Sequence, residues 1–310
     1  MFFTDIKYKK IEKKYLDYLK SQEALSEPFR DKIGQLKKFY IPISTRIYTS
    51  FLKNKKTKVI GLTGGQGSGK STISNILKII FQVGFGLKTT IFSIDDFYKT
   101  LSDRKKMSLN VNPLFLTRGV PGTHDTRLLF NCIQKLKNSK FKKFYIPKFD
   151  KSIDNRLPRN KWQRIEKKPE IVIFEGWCVG AKSEKNNTLK KNINSLEKAK
   201  DQRQIWRKYV NQQLKSKYKN LYSQLNCLIY LRAKNFSLLQ KWRLKQERKL
   251  WVKSKVKSNL KIMSRGDVIN FMQTYQRITQ NMFKNMPKYA SIIFNLNSNH
   301  QIKSAVYKSK

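Results

Sequence analysis

Acidic residues are scarce in this sequence of 310 residues. Only 20 Asp and Glu oppose 67 Lys and Arg, which leaves a formal charge of +47 at pH 7. Such a charge would suit a protein that binds nucleic acid or another acidic surface. The lysines, however, are spread along the whole chain and do not form one basic segment. We therefore interpret most of them as solvated surface, and non-specific nucleic-acid binding remains the alternative.

Cysteine and histidine are also rare. Cys132, Cys178 and Cys227 lie far apart and form no C-x-x-C pair, so the sequence lacks the pattern of a disulfide scaffold. Unpaired cysteines of this kind favour a reducing compartment, and we expect a cytoplasmic protein. Because His124 and His300 are the only histidines, a zinc site is not expected.

Long apolar runs are absent as well. None approaches the roughly 20 residues that a membrane helix needs, so we expect no membrane span. Residues 1–20 have no apolar signal core and mix acids with lysines, unlike a targeting peptide. Ile11, Tyr15 and Leu19 fall on one helical face, and we predict an N-terminal helical extension over residues 1–57. The chain has 39% hydrophobic residues, enough to bury one large core.

Five short apolar segments have the composition of strands. They are KVIGLTG (58–64), TTIFSID (89–95), EIVIFEGW (170–177), CLIYLR (227–232) and SIIFNLN (291–297). Near-continuous apolar runs are typical of strands that are covered on both faces. Helical patterns lie between them, including STISNILKIIF (71–81) and one from about 199 to 225. The alternation predicts a parallel sheet between two helical layers, an α/β/α sandwich over residues 58–310 with a helical insert at about 181–225.

Residues 64–71 read GGQGSGKS and match the phosphate-binding pattern G-x-x-x-x-G-K-[ST]. Glycines let successive backbone N–H groups turn toward phosphate oxygens, and the following helix adds the positive end of its dipole. In this pattern Lys70 reaches the β- and γ-phosphates, and the Ser71 hydroxyl binds Mg²⁺. We predict a site for ATP or GTP. Its residues are Gly64, Gly65, Gln66, Gly67, Ser68, Gly69, Lys70, Ser71 and Thr72.

Three acids stand at the ends of two predicted strands. Asp95 and Asp96 end one strand, and Glu175 lies near the end of another. Ligands of doubly wound sheets lie at the carboxyl ends of the strands, so these side chains should face the phosphate site. We expect Ser71, Glu175 and Asp95 to bind Mg²⁺ directly or through water, and Asp95 to accept the proton of an attacking hydroxyl. Asp96 would support Mg²⁺ or the substrate; alternatively, one member of the pair only caps the next helix.

Two turn-rich segments with basic side chains follow the Asp pair, NPLFLTRGVPGTHD (112–125) and IPKFDKSIDNRLPRNKW (146–162). Cations in such clusters can fork onto a carboxylate or phosphate. The second segment adds Lys148, Asp150, Lys151 and Arg156, and any single lysine among them is interpreted as solvated surface. Arg118 and His124 are the preferred candidates because Arg and His are scarcer here than lysine. A hydroxyl acceptor would make the protein a kinase, and water would make it an ATPase. The predicted substrate-binding residues are Asp96, Tyr98, Arg118, His124, Asp125, Lys148, Asp150 and Arg156.

A set of motifs extends from about residue 36 to residue 298. The motifs include GGQGSGKST, SIDDFYKT, RGVPGTHD, PKFDKS, VIFEGWCVGA, WRLKQE and MSRGDVINFMQTYQR. Together they resemble the D-glycerate 3-kinase family and, more widely, the P-loop kinases that include uridine kinase, phosphoribulokinase and pantothenate kinase. The P-loop alone is common to many families, but RGxPGTHD, PxFDKS and FEGW in one chain form a specific combination.

This resemblance implies a P-loop kinase fold with a sheet in the order 2-3-1-4-5. It also implies transfer of the ATP γ-phosphate to the 3-hydroxyl of D-glycerate, giving 3-phosphoglycerate, a step of photorespiratory salvage in photosynthetic organisms. Asp95 falls at the position of the catalytic acid of uridine-kinase-like enzymes, and Glu175 at that of a Mg²⁺-site acid. Arg243 falls in a lid at about 236–265, where it would stabilise charge during transfer. Alternatively, Arg243 is a salt-bridged residue of the helix surface.

Two further interpretations of the activity remain open. The acceptor could be a nucleoside, pantothenate or another hydroxy acid, although Arg118, His124 and Lys148 suit a carboxylate better than a base. The net charge also allows an ATP-dependent nucleic-acid-binding protein. Turnover of a small hydroxyl acceptor would indicate a kinase, whereas tight nucleic-acid binding modulated by ATP without such turnover would favour the nucleic-acid-binding protein.

Overall fold

A computed structural model describes residues 3–23, 28–254 and 263–308, and the side chains of all of these except 249–254. Residues 255–262 of the predicted lid therefore lie outside the described part of the chain. Its main sheet has six strands. They are β1 (Lys58–Gly64), β2 (Thr89–Ser93), β3 (Ile171–Gly176), β4 (Cys227–Arg232), β5 (Ile292–Leu296) and β6 (Ile302–Tyr307).

The strands are arranged in the order β2-β3-β1-β4-β5-β6. The first five are parallel, which confirms the order 2-3-1-4-5 expected from the resemblance. The central pairings run from Lys58 opposite Ile171 to Thr63 opposite Gly176. An antiparallel edge strand, β6, was not predicted. It carries one buried residue, Ile302, and otherwise partly or fully exposed ones, so it lacks the apolar run that marks the others.

Helices cover both faces of the sheet. The α-helices are α1 (Asp5–Glu23), α2 (Lys32–Gln35), α3 (Ile41–Leu52), α4 (Lys70–Ile79), α5 (Leu101–Asn110), α6 (Thr126–Lys137), α7 (Ser195–Lys200), α8 (Ile205–Gln213), α9 (Lys219–Tyr222), α10 (Phe236–Ser254) and α11 (Arg265–Asn285). Three π-helical segments continue them. Leu36–Tyr40 joins α2 to α3, Ile80–Gly84 extends α4, and Leu214–Tyr218 joins α8 to α9.

Shorter elements connect these helices and strands. The 3₁₀ turns are Ile94–Phe97, Pro113–Leu116, Arg159–Lys161, Asn186–Lys190 and Met286–Lys288. Two small antiparallel pairs join Phe144–Ile146 to Gln163–Ile165 and Phe149–Asp150 to Asn155–Arg156. No described helix has both the length and the apolar composition that a bilayer crossing requires.

The sheet separates two apolar cores. Alternate residues of β3 face opposite sides, with Val172 and Phe174 in one core and Ile171 and Ile173 in the other. Every residue of β1 and β3 is buried, because helices cover both faces. This arrangement explains why these strands are continuous apolar runs in the sequence.

The N-terminal helices share a core with the sheet. The predicted face of α1 is buried through Ile11, Tyr15 and Leu19, in the same core as Ile76 and Leu77 of α4. α1 also contacts α4 directly. The N-terminal helices therefore lie beside the helix that begins at the predicted phosphate loop.

Two helix boundaries follow from local capping. Ser264 caps the start of α11, because its hydroxyl accepts a hydrogen bond from the N–H of Asp267 and the Asp267 carboxylate accepts one from the N–H of Ser264. The helix predicted from about 199 begins at Ile205. Asp201 ends α7, and its carboxylate accepts hydrogen bonds from the N–H groups at the start of α8.

Candidate active site

The segment GGQGSGKS forms a tight loop between β1 and α4. Gly67 and Gly69 have φ angles of +78° and +83°, a conformation that side-chain-bearing residues rarely adopt. A Cβ on Gly67 would also come within 2.8 Å of the Cβ of Trp242 on α10. The first turn of α4 follows at once, so its free N–H groups and dipole point into the loop. The loop has the geometry that phosphate binding requires.

Lys70 lies inside this loop. Its ammonium donates hydrogen bonds of 3.0 Å to the backbone oxygens of Gly64 and Gly65. Burial lowers the pKa of Lys70, whereas the nearby carboxylates of Glu175 and Asp95 oppose that change. Two of the three predicted acids are thus electrostatically coupled to the lysine of the loop.

Glu175 and Ser71 form the candidate magnesium site. Glu175 lies in β3, is 8% exposed and accepts a long hydrogen bond of 3.5 Å from the Ser71 hydroxyl. Burial raises the pKa of Glu175, and the Lys70 ammonium opposes the rise. A buried carboxylate beside a hydroxyl offers the hard oxygen donors that Mg²⁺ prefers. The side chains present therefore fit this ion.

Asp95 follows β2 in the turn Ile94–Phe97. Its Oδ2 accepts a 2.6 Å hydrogen bond from the Lys151 ammonium, and its Oδ1 accepts one of 3.0 Å from the Tyr98 hydroxyl. Burial alone would raise the pKa of Asp95, but the charge and hydrogen bond of Lys151 and the hydrogen bond of Tyr98 outweigh it and lower the pKa to about 2. Asp95 is therefore a carboxylate at neutral pH, held by a lysine to which the sequence assigned no role.

Asp96 has different partners. Its Oδ2 accepts a 3.2 Å hydrogen bond from the Ser93 N–H, and the Ser93 hydroxyl accepts one from the N–H of Asp95. This reciprocal capping box at the start of the turn matches the capping role that the sequence left open for one of the two acids. Asp96 Oδ2 also accepts a 2.9 Å hydrogen bond from Lys148. Adjacent carboxylates thus bind two different lysines, which reduces their mutual repulsion.

His124 lies beside Asp95 in the segment RGVPGTHD. Its ring stacks on that of Tyr98 at a centroid distance of 4.5 Å. Its Nδ1 lies 2.6 Å from the Tyr218 hydroxyl, which comes from the helical insert. Burial lowers the pKa of His124 to about 4, against the opposing charge of Asp95. The imidazole is therefore neutral at physiological pH.

Arg118 is held by residues that the sequence analysis missed. It forms an ion pair with Asp154, and Asp154 also pairs with Arg104 at 2.9 Å. The Arg118 guanidinium lies 5.7 Å from the centre of the Phe149 ring. The Arg104 side chain is fully buried and donates to the backbone oxygen of Leu116 at 2.6 Å. Arg104 sits in a polar helical stretch, LSDRKKMSLN, where no sequence signal distinguishes it from its exposed neighbours.

Three other predicted residues form contacts within and between the loops around Asp95. Asp125 caps α6 by accepting a 3.0 Å hydrogen bond from Leu128 N–H, and it lies 3.5 Å from Arg156. Arg156 also donates to the Tyr98 backbone oxygen at 2.9 Å. The Asp150 carboxylate accepts hydrogen bonds from the Ser152 N–H and hydroxyl at 2.8 and 2.6 Å. These contacts hold the shape of the loops that surround Asp95.

Arg243 lies on α10, which packs over the phosphate loop. Its side chain forms an ion pair with Glu247, the arrangement expected of the alternative surface role, and lies 5.8 Å from the Phe271 ring. Burial and Asp95 raise the pKa of Tyr275, whereas Arg118 and Arg243 lower it. Both arginines and Asp95 therefore lie close enough to influence one tyrosine.

A cavity of about 420 Å³ adjoins the phosphate loop and is lined in part by Gly67, Ser68 and Gly69. Its lining includes Phe29, Tyr40, Thr72, Trp242 and Gln246. These residues come from the N-terminal helices and their connection, from the loop itself and from α10. The cavity is large enough and aromatic enough to hold a nucleoside whose phosphates occupy the loop.

Comparisons with known proteins agree with this geometry. The profile of the phosphoribulokinase / uridine kinase family matches residues 59–221. The uncharacterized kinase mug58 of Schizosaccharomyces pombe is 30% identical to this chain over 224 residues, which cover 70% of this chain and 78% of that protein. The chloroplastic D-glycerate 3-kinase of Arabidopsis thaliana is 26% identical over 231 residues, covering 69% of this chain and 48% of that protein.

A solved structure is similar over most of the chain. The D-glycerate 3-kinase of Cryptococcus neoformans var. grubii matches with a TM-score of 0.73 and 24% identity, over 90% of this chain and 100% of that one. At this identity the match establishes a common fold. The family profile covers more than half of this chain and includes the phosphate loop, both Asp residues and Glu175.

Proposed function

The chain belongs to the phosphoribulokinase / uridine kinase family, and we propose that within this family it phosphorylates D-glycerate. The reaction would transfer the γ-phosphate of ATP to the 3-hydroxyl and give 3-phosphoglycerate. One observation carries the proposal: Asp95 follows the end of β2, where Ser93 pairs with Glu175 of β3, and Glu175 accepts a hydrogen bond from Ser71 at the start of α4. The proposed proton acceptor, the proposed metal-binding acid and the phosphate loop would thus act at one edge of the sheet.

ATP would bind with its phosphates in the loop between β1 and α4. The loop N–H groups and Lys70 would hold the β- and γ-phosphates, and the cavity beside Phe29 and Trp242 would hold the nucleoside. Ser71 and Glu175 would hold Mg²⁺, which neutralises phosphate charge when it is bound. Lys70 would then exchange its two carbonyl contacts for phosphate oxygens.

Asp95 would orient the acceptor hydroxyl and take its proton. Phosphoryl transfer has a loose transition state in which the hydroxyl loses its proton late, so even a weakly basic carboxylate suffices. Lys151 now occupies Asp95 Oδ2, but its side chain is 59% exposed and free to turn. An acceptor carboxylate would attract Lys151 away from Asp95 and raise the basicity of Asp95 as the substrate binds.

D-glycerate is proposed as the phosphoryl acceptor because of the cations around Asp95. Lys148 and Lys151 pair with the adjacent acids Asp96 and Asp95, and the Arg118 guanidinium lies 5.7 Å from the Phe149 ring of the same segment. Cations placed in this way suit a small hydroxy acid with one carboxylate. The combination RGVPGTHD, PKFDKS and FEGW resembles D-glycerate 3-kinases, and a relative of that name shares 26% identity. Arg243 would add positive charge at the γ-phosphate once its ion pair with Glu247, which lies on the same helix, is broken.

The experiment is an acceptor panel with purified protein, ATP and Mg²⁺. D-glycerate, L-glycerate, uridine and pantothenate are each supplied, and ³¹P NMR identifies the product and the phosphorylated carbon. We expect 3-phosphoglycerate from D-glycerate and slower reaction with the rest. Turnover of uridine or pantothenate without D-glycerate would assign another acceptor. Single-stranded RNA binding that is tight, ATP-dependent and accompanied by no acceptor turnover would instead support the nucleic-acid function.

A further inference from the structure

Tyr218 connects the helical insert to the loop that carries His124. It ends the π-helical segment Leu214–Tyr218 between α8 and α9, and it is fully buried. Its ring contacts that of His124 edge-on at 5.9 Å. π-Helical turns often occur at functional sites because they redirect one side chain out of the helical register. Here the redirected side chain reaches a residue 94 positions away in the sequence.

The Tyr218 hydroxyl has a defined set of partners. Its oxygen lies 3.0 Å from the N–H of Gly122, which can only donate, and 2.6 Å from Nδ1 of His124. Burial raises the pKa of Tyr218 well above its usual value, and the N–H groups of Gly122 and His124 only partly offset this rise. The hydroxyl therefore keeps its proton, and its oxygen serves as the acceptor for backbone donors.

This arrangement determines where His124 carries its proton. Among the described residues, Nδ1 of His124 is the acceptor within reach of the Tyr218 O–H. If Nδ1 carried the proton instead, it would donate to the Tyr218 oxygen, which already accepts from Gly122, and the Tyr218 O–H would have no acceptor among the described residues. The neutral ring therefore accepts at Nδ1 and carries its hydrogen on Nε2.

The Nε2–H of His124 is a buried donor without a hydrogen-bond partner in the described part of the chain. His124 is 2% exposed, and a buried polar group that lacks a partner is unfavourable unless a ligand or water completes it. The ring lies against Tyr98, whose hydroxyl donates to Asp95 at 3.0 Å. The ring that carries this donor is thus stacked on the tyrosine that binds Asp95, the proposed proton acceptor.

We propose that Tyr218 is a positioning residue that fixes His124 as the Nε2–H tautomer, and that this N–H donates to a carboxylate or hydroxyl oxygen of the hydroxy-acid substrate beside Asp95. The substrate half of this proposal rests on the proposed function, whereas the tautomer rests on the contacts alone. Because the His124 ring is neutral, its N–H can bind the anionic substrate without forming an ion pair with Asp95. Asp95 therefore stays available for the proton of the acceptor hydroxyl. The insert at 181–225 thereby acquires a role in acceptor binding.

The tautomer is measured directly by ¹⁵N NMR of protein labelled at histidine. The chain has only two histidines, so the His124 signals are assigned by comparison with a His300→Gln variant. We expect His124 to carry its proton on Nε2 at pH 7 and to lose this fixed form in Tyr218→Phe. Tyr222→Phe is the matched control, since Tyr222 lies one turn further on and donates to the Cys178 oxygen at 2.7 Å. A proton on Nδ1 in the wild type would overturn the proposal.

The substrate contact is tested by kinetics with the acceptor that the panel identifies. Tyr218→Phe should lower kcat/KM for that acceptor about 10- to 100-fold while ATP binding is retained. The loss of the buried hydroxyl should also lower the melting temperature by about a few degrees, because the Gly122 N–H loses its acceptor. His124→Gln keeps an N–H near the Nε2 position and should retain more activity than His124→Asn, whose amide lies near Nδ1. Unchanged acceptor kinetics in Tyr218→Phe, or equal activity of the two His124 variants, would refute the substrate contact.

The two proposals fail separately. If D-glycerate is inert but another acceptor reacts, the proposed substrate is wrong, and the NMR and variant measurements with the reacting acceptor still decide the role of Tyr218. If D-glycerate reacts and His124 carries its proton on Nδ1, the activity stands and the positioning role is wrong.

Discussion

Lys151 and Asp95 form a 2.6 Å ion pair at the centre of the candidate active site. The lysine comes from the segment that follows the small strand Phe149–Asp150, and the acid from the turn after β2, so two distant segments meet there. The pair holds Asp95 as an anion with a pKa of about 2, against the opposing effect of burial. The proposed proton acceptor is therefore restrained by a lysine that an anionic substrate can displace.

Replacement of Asp95 by Asn should remove phosphoryl transfer and leave nucleotide binding intact. The amide has nearly the same shape but cannot accept the proton, and general-base catalysis typically contributes 10²- to 10⁴-fold in rate. Transfer is measured with radiolabelled ATP, and ATP binding by calorimetry. Turnover within a few-fold of wild type would move the base role to another acid, such as Asp96.

Replacement of Lys151 by Met should shift the acid limb of the pH–rate profile to higher pH. Lys151 lowers the pKa of Asp95, so its loss lets burial raise that pKa, and the active carboxylate is then protonated at a higher pH. Because the wild-type limb lies below pH 4, kcat/KM for D-glycerate of the wild type should change little from pH 8 to pH 4 on account of Asp95, whereas that of the variant should fall toward pH 4. Lys161→Met serves as control, because Lys161 is exposed in the same basic segment. An acid limb that stays in place would show that Lys151 does not set the ionisation of Asp95.

Replacement of Arg104 by Met should destabilise the protein by about 2 kcal/mol or more. The fully buried guanidinium binds the Asp154 carboxylate and three backbone oxygens, those of Lys99, Leu116 and Asp154, and its loss leaves these acceptors without this donor. Urea unfolding gives the free energy, with Lys105→Met on the exposed face of the same helix as control. Equal stability of the two variants would contradict a structural role for Arg104.

Replacement of Phe29 by Ala should weaken ATP binding but not the binding of inorganic tripolyphosphate. Phe29 lines the cavity beside the phosphate loop, whereas the phosphates would contact the loop itself. A several-fold rise in KM for ATP is expected from the loss of aromatic contact. Ile6→Ala is the control on the same N-terminal extension, since Ile6 is 69% exposed. An equal loss of affinity for tripolyphosphate would show that the substitution weakens phosphate binding by the loop and not nucleoside binding by the cavity.

Most of the sheet and the phosphate loop were predictable from the sequence because their signals are local. The parallel strands are continuous apolar runs, as burial on both faces requires, and the loop has a fixed glycine spacing. β6 was missed because an edge strand with exposed Lys303 and Ser304 has no such run.

The partners of the site residues were not predictable because they are distant in the sequence. Tyr218 meets His124 across 94 positions and Lys151 meets Asp95 across 56. Lysine is so frequent in this chain that no pattern separates Lys151 from its solvated neighbours. Arg104 likewise lies among exposed polar residues, and only the folded loop shows that its side chain is buried.

The most direct test of the central claim is a crystal structure with Mg²⁺, a non-hydrolysable ATP analogue and D-glycerate. The account predicts that the 3-hydroxyl lies within hydrogen-bond distance of Asp95 and in line with the γ-phosphate, with Lys151 turned toward the glycerate carboxylate. A hydroxyl that binds away from Asp95, or a γ-phosphate on the far side of the loop, would contradict it.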